Sequence, residues 1–210
     1  MSLSSRTYTG TAGADVVNGV LDAPNTFMDY GFGADVLTGG NRDDTFHLTV
    51  DELADFVDGG AGRDTVDFSG SPLGLMINLT EGTARFWQPE YEYTSCAHTI
   101  LSNIENVVGT QLNDYIVGNG ADNVLNGGGG ADTFVFGRSI GHDVVEDFDA
   151  RNSGEGHDLI RLQGVFDSWE ELQANMEHHG DTWVIHIDEA NSVTLTGVHG
   201  TLDANDFLLV

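Results

Sequence analysis

One large apolar residue recurs every nine to eleven positions through much of the chain, at Val17, Phe27, Leu37, Phe46, Val57 and Val66, and again at Ile116, Leu125, Phe134 and Val145. A glycine-rich turn of six residues followed by a three-residue strand that buries only its middle side chain reproduces this spacing. Two such units complete one coil of a flattened solenoid, so that positions two units apart should stack. Asp15, Asp35 and Asp55 are twenty apart, while Asn25, Asp44 and Asp64 are nineteen and twenty apart, which predicts two stacked ladders of turns.

The turns share a wording. Gly59-Gly60-Ala61-Gly62-Arg63-Asp64-Thr65-Val66-Asp67 and Gly127-Gly128-Gly129-Gly130-Ala131-Asp132-Thr133-Phe134-Val135 both spell G-G-x-G-x-D-x-U-x, U being a large apolar residue, without a mismatch. Looser copies run from Gly10 to Asn18, Tyr30 to Thr38, Gly39 to His47 and Gly109 to Val117. Weaker ones centre on Asn25, Asp55, Asn123 and Asp143. Over roughly residues 10 to 67 and 109 to 148 the chain resembles the RTX family of hemolysin-type calcium-binding repeats.

The resemblance implies an all-β fold, a right-handed parallel β-roll in which each calcium lies between turns of adjacent coils. Backbone carbonyls of the first four turn positions and the aspartates of both turns would hold it, an all-oxygen set suited to a hard cation. Carried over by position, the carboxylates would come from Asp15, Asp35, Asp44, Asp55, Asp64, Asp114, Asp132 and Asp143. The backbone positions would be Gly10, Ala12, Gly31, Gly33, Gly40, Arg42, Gly59, Gly60, Ala61, Gly62, Gly109, Gln111, Gly127, Gly128, Gly129 and Gly130. Asn25 and Asn123 depart from the aspartate position, and pairing each turn with the one two units on leaves about four to six Ca2+ sites. A calcium-free solenoid using Asp and Gly only as turn formers is the competing reading. It leaves unexplained why carboxylates should stack about 5 Å apart with few cations nearby.

Composition sharpens this picture. Thirty-four acidic residues face seven basic ones, all arginine, for a net charge of −27. Nucleic acid is thereby excluded as a partner, and a compact state needs cations unless the charge is merely a halophilic surface. The single cysteine, Cys96, allows no internal disulfide. No apolar stretch approaches the ~20 residues of a membrane span, and residues 1–6 lack the charged and apolar regions of a secretory signal.

Four segments follow: a first repeat block (1–67), an insertion in the solenoid (68–108), a second repeat block (109–148) and a carboxyl-terminal cap (149–210). Within the insertion, Leu75–Leu79 and Gly82-Thr83-Ala84 predict a strand and turn, and Ile104, Val107 and Val108 lead back into the coil. The aromatic run Phe86 to Tyr93 would cover exposed core or stack on a sugar or partner. In the cap, strands are predicted at 144–149 and 158–162, a helix over 167–176 with Trp169, Leu172 and Met176 on one face, and an antiparallel pair at 182–188 and 192–196. The ending Asp206-Phe207-Leu208-Leu209-Val210 is similar to the uncleaved export signal of type I secretion substrates, and would equally suit a closing edge strand.

No catalytic motif is found. His178-His179 lacks the H-E-x-x-H spacing of a zinc site, neither a G-x-S-x-G elbow nor a P-loop occurs, and Glu90/Glu92 and Glu170/Glu171 lack partner chemistry. The expectation is a non-enzymatic, secreted, extracellular calcium-binding module that meets type I secretion machinery during export. The alternatives are an adhesion or polysaccharide-binding module using the aromatic insertion, and the non-catalytic tail of a larger secreted hydrolase, lyase or epimerase.

Overall fold

Glycine turns and single apolar residues build a flattened tube, seen in a computed structural model that describes residues 4–28, 33–51, 53–87, 98–151 and 157–210. Strands β1 (Arg6–Thr9), β2 (Val16–Asn18), β3 (Asn25–Met28), β4 (Val36–Gly40), β5 (Thr45–His47), β6 (Phe56–Gly60) and β7 (Thr65–Asp67) alternate between two facing parallel sheets. Odd strands stack as β1-β3-β5-β7 and even strands as β2-β4-β6, each in the register expected of a coil of about two repeats. Side chains alternate along a strand, so only the middle residue points inward. Phe27, Leu37, Phe46, Val57 and Val66 are fully buried between the sheets, whereas Val17, in the terminal coil, is half-buried. Tyr8, Phe27 and Phe46 stack with centroids 5.2 and 4.5 Å apart, one ring per coil.

The period then breaks. Strand β8 (Leu75–Asn78) runs ahead to the place beside the next coil, β9 (Thr83–Phe86) returns antiparallel to it, and β10 (Thr99–Ser102) lies parallel to β6. The even sheet thus gains an antiparallel excursion while the odd sheet passes directly from β7 to β11 (Asn106–Val108). Leu75, Ile77, Ala84, Leu101 and Ile104 continue the same core. Of the aromatic run, Phe86 packs on the core and Trp87 stacks on Tyr115 at 5.0 Å, whereas Gln88 to Tyr93 lie outside the described residues, as does Cys96.

Regular coiling resumes with β12 (Tyr115–Val117), β13 (Val124–Asn126), β14 (Thr133–Phe136) and β15 (His142–Val145), burying Ile116, Leu125, Phe134 and Val145. Next come β16 (Asp149–Ala150), β17 (Leu159–Leu162), α1 (Trp169–Ala174), β18 (Met176–His179), β19 (Thr182–His186), β20 (Ser192–Leu195), β21 (His199–Gly200) and β22 (Phe207–Leu209). The parallel β-roll expected from the repeats is therefore present, closed by a small cap with one α-helix among the described residues.

Details of the cap differ from expectation. Strands β15 and β17 belong to opposite sheets instead of forming a local unit. The helix starts at the cap Ser168, whose hydroxyl accepts the Glu171 N–H, but stops at Ala174, and Met176 begins a strand antiparallel to β19. The predicted antiparallel pair is β19–β20, and β20 also pairs parallel with β15, which ties the cap to the roll. The chain end is an edge strand, β22, parallel to β17.

Candidate metal centre

The two ladders expected from spacing are present as hydrogen-bonded columns. In the first, the Asp15 N–H donates to Asp35 Oδ1 at 2.7 Å and the Asp35 N–H to Asp55 Oδ1 at 3.1 Å. After the interruption it resumes with the Asp114 N–H on Asp132 Oδ1 at 2.8 Å and the Asp132 N–H on Asp158 Oδ1 at 2.9 Å. In the second column the Asn25 N–H donates to Asp44 Oδ1 at 2.6 Å and the Asp44 N–H to Asp64 Oδ1 at 2.7 Å. Further along, the Asn123 N–H donates to Asp143 Oδ1 at 2.8 Å. Each carboxylate is thus spent partly on joining its coil to the previous one.

The second oxygens of these carboxylates differ in their surroundings. Asp44 Oδ2 and Asp114 Oδ2 accept N–H groups of their own turns, from Gly40 at 2.5 Å and Thr110 at 2.6 Å. Asp35 Oδ2, Asp64 Oδ2 and Asp143 Oδ2 are buried without a hydrogen-bond partner. A buried ionised oxygen without a donor is strongly unfavourable, so such an atom calls for a proton or a cation. Burial accordingly pushes Asp64 and Asp143 up to about 7 and Asp132 up to about 8, with neighbouring acids adding to the rise. Asp55 and Asp158 rise to about 6 by the same desolvation, and Asp35 and Asp114 move upward also.

Backbone oxygens face these carboxylates. A side chain at Gly39 would strike both the Gly59 carbonyl and Asp44 Oδ2, one at Gly59 the Asn103 carbonyl and Asp64 Oδ2, and one at Gly109 the Gly127 carbonyl and Asp114 Oδ2. Gly60 and Gly128 sit at φ +95° and +91°, with the Gly40 and Thr110 carbonyls against their Cα atoms, so glycine is required there on two counts. Adjacent turns are further joined by the Ala61 N–H on Gly40 O at 2.9 Å and the Gly129 N–H on Thr110 O at 3.0 Å.

The residues singled out by position therefore fall into stacked turns. Gly40 and Arg42 lie against Gly59, Gly60, Ala61 and Gly62, and Gly109 and Gln111 against Gly127, Gly128, Gly129 and Gly130. Gly33 abuts Gly13 and Ala14 in the first turn, beside Gly10 and Ala12, while Gly31 lies outside the described residues. Among the described residues no three His, Cys, Asp or Glu side chains form a ready metal-holding group. The donors offered are carboxylates in stacked pairs plus carbonyls, which suits an oxygen-seeking cation of flexible geometry far better than zinc. His178 lies stacked on Trp183, and His179 and His186 flank Glu177.

Position-matching missed three members of these columns. Glu105 Oε2 accepts the Asp64 N–H at 2.9 Å, and the Glu105 carbonyl accepts from Asn123 Nδ2, so a longer acid fills the aspartate position where the turn is shortened. Its signal was available, since Glu105 precedes Asn123 by the same eighteen residues that separate Asp114 from Asp132. Asp158 ends the first column and has the same Asp-x-apolar wording, with Ile160 buried. Thr99 stands beside Asp55, its hydroxyl 3.4 Å from Oδ2.

Comparison with known families agrees with this geometry. Residues 57–210, well over half of the chain, match the family described as peptidase M10 serralysin C terminal. Residues 29–48 match the RTX calcium-binding nonapeptide repeat. RTX repeats bind calcium, both matched families are non-catalytic domains, and such domains are typical of type I secreted extracellular proteins. Among the described residues no helix is long and apolar enough to cross a membrane.

Proposed function

The chain belongs to the peptidase M10 serralysin C-terminal family, and on that premise we propose that it is a calcium-triggered folding module of an exported protein. The observation carrying this reading is the set of buried, partnerless oxygens on Asp35, Asp64 and Asp143, each set in a column of stacked glycine turns. Without a cation these carboxylates oppose compaction, and the net charge of −27 reinforces them. Calcium supplies the positive charge and the demand for several oxygens at once. Asp15/Asp35, Asp35/Asp55, Asp44/Asp64 and Asp114/Asp132 would hold it with the carbonyls of their turns, Asp143 with Asn123, and Asp64 with Glu105. Binding free energy then becomes folding free energy.

In this reading the chain stays unfolded where calcium is scarce, passes the exporter, and folds outside, where its roll carries or stabilises the protein it accompanies. The division into two repeat blocks, an insertion and a cap belongs to the same proposal. Circular dichroism titrated with calcium and then with chelator tests it. A chain that keeps its β signal and melting temperature in chelator would refute it. A polysaccharide partner is a separate arm: Trp87 is half-buried on Tyr115, and Trp87→Ala should leave calcium-dependent folding intact whether or not glycan retention changes.

A further inference from the structure

We propose that Arg63 couples the turn stacks on the two sides of the interruption, so that calcium-driven ordering of one is transmitted to the other; this rests on the calcium-folding reading above. Within each side, neighbouring turns are stitched through the residue just before the ladder position. Asp43 Oδ1 accepts the Arg63 N–H at 3.0 Å, Asn113 Oδ1 the Ala131 N–H at 2.9 Å, and Asp122 Oδ1 the His142 N–H at 2.8 Å. By strand register the corresponding positions along the odd sheet are 43, 63, 104, 122 and 142.

At the shortened turn that position is Ile104, which is buried in the core and has no polar side-chain atom. The column of stitches would stop there. Instead the guanidinium of Arg63 reaches across, with Nη2 2.8 Å from the Asp122 carbonyl oxygen and 3.5 Å from Asn106 Oδ1. Asn106 Nδ2 in turn donates to Thr65 Oγ1 at 3.2 Å, which steadies the amide beneath the arginine. A continuous path results: Asp43 side chain to Arg63 backbone, Arg63 side chain to Asp122 backbone, Asp122 side chain to His142 backbone. Its ends are one residue from Asp44 and Asp143. A guanidinium suits the span because it combines length, permanent charge and several donors.

Arg63 is exposed, so its removal can be read separately from the loss of a buried side chain. Hydrogen exchange across a calcium titration of the full chain, resolved into residues 36–67 and 106–145, is the test. In the parent chain both segments should gain protection at one calcium concentration. Arg63→Met, which keeps the length and removes the donors, should separate the two midpoints by about fivefold, the net size of one exposed hydrogen bond. Arg63→Lys should separate them less, and carries the comparison if the methionine variant fails to fold. Midpoints that stay together, shifted or not, would overturn the coupling and leave Arg63 a surface contact. A parent chain that shows no calcium response would instead refute the calcium-folding reading itself.

Discussion

The N–H of Asp44 donates to Oδ1 of Asp64, one coil away, at 2.7 Å, while Oδ2 of the same carboxylate is buried with no donor. One side chain therefore does two jobs that substitution can separate. In Asp64→Asn the amide oxygen can still accept from Asp44, but the charge is lost. The calcium midpoint for folding should rise by roughly tenfold or more, since a charged ligand is removed from an oxygen cage. In chelator the variant should be no less stable than the parent, because an uncompensated buried charge has gone. Equal calcium midpoints, measured by circular dichroism, would remove Asp64 from the ligand set.

The pH dependence of the metal-free chain follows from the same burial. Asp132 is raised to about 8, Asp64 and Asp143 to about 7, and Asp55 and Asp158 to about 6, all from an ordinary value of 3.8. A group whose folded-state value is raised binds more protons folded than unfolded between those limits. Its stabilising contribution is complete below about pH 4 and is lost as pH climbs through 6 to 8. In chelator any β signal should therefore be strongest near pH 5 and be lost toward pH 8. With saturating calcium the dependence should flatten between pH 5 and pH 8, because the ion displaces those protons and the bound carboxylates are then ionised like the unfolded ones. An apo β signal that grows with pH over this range would contradict the assignment.

Glycine in the turns is a geometric requirement at some positions only. Gly60 has φ +95° and the Gly40 carbonyl lies where its Cβ would go, whereas Gly137 would meet nothing within 4 Å. Gly60→Ala should lower stability in saturating calcium by about 1–3 kcal/mol, combining left-handed strain with separation of two turns. Gly137→Ala should stay within about 0.5 kcal/mol of the parent. Chemical denaturation at fixed calcium measures both.

The roll was legible in the sequence because its information is local. Each inward residue, from Phe27 to Val145, sits at a fixed offset from its own glycine turn, so period alone located the strands and the two aspartate columns. What escaped had lost that offset. Glu105 occupies a ladder position after a shortened turn, where a longer acid makes up the reach. Asp158 closes a copy of the nonapeptide with one departure, Ser153-Gly154-Glu155-Gly156-His157-Asp158-Leu159-Ile160-Arg161, but lies 26 residues after Asp132 and so off the coil period. Arg63 sits at a position that accepts any residue, and only its three-dimensional reach to Asp122, fifty-nine residues on, distinguishes it. Met176 misled because a helical spacing from Trp169 and Leu172 holds up to Ala174 and then passes into a strand.

Monovalent salt should not replace calcium. If the acidic excess were simply a halophilic surface, folding would be limited by long-range repulsion, which salt screens; at about 1 M the Debye length is near 3 Å. The carboxylates at issue are not on the surface, however, since Asp44, Asp64 and Asp143 are fully buried and Asp35, Asp114 and Asp132 nearly so. Screening by mobile ions acts weakly on buried pairs, and a hydrated monovalent ion cannot satisfy several buried oxygens at once. Chelated protein in about 1 M KCl should therefore stay without its β signal, while calcium in the 0.1–1 mM range usual for extracellular sites should restore it at low salt. The readout is far-ultraviolet circular dichroism with near-ultraviolet packing signals from the tryptophans. Recovery of both signals in KCl alone would show that net charge, not the oxygen cages between turns, holds the apo chain open.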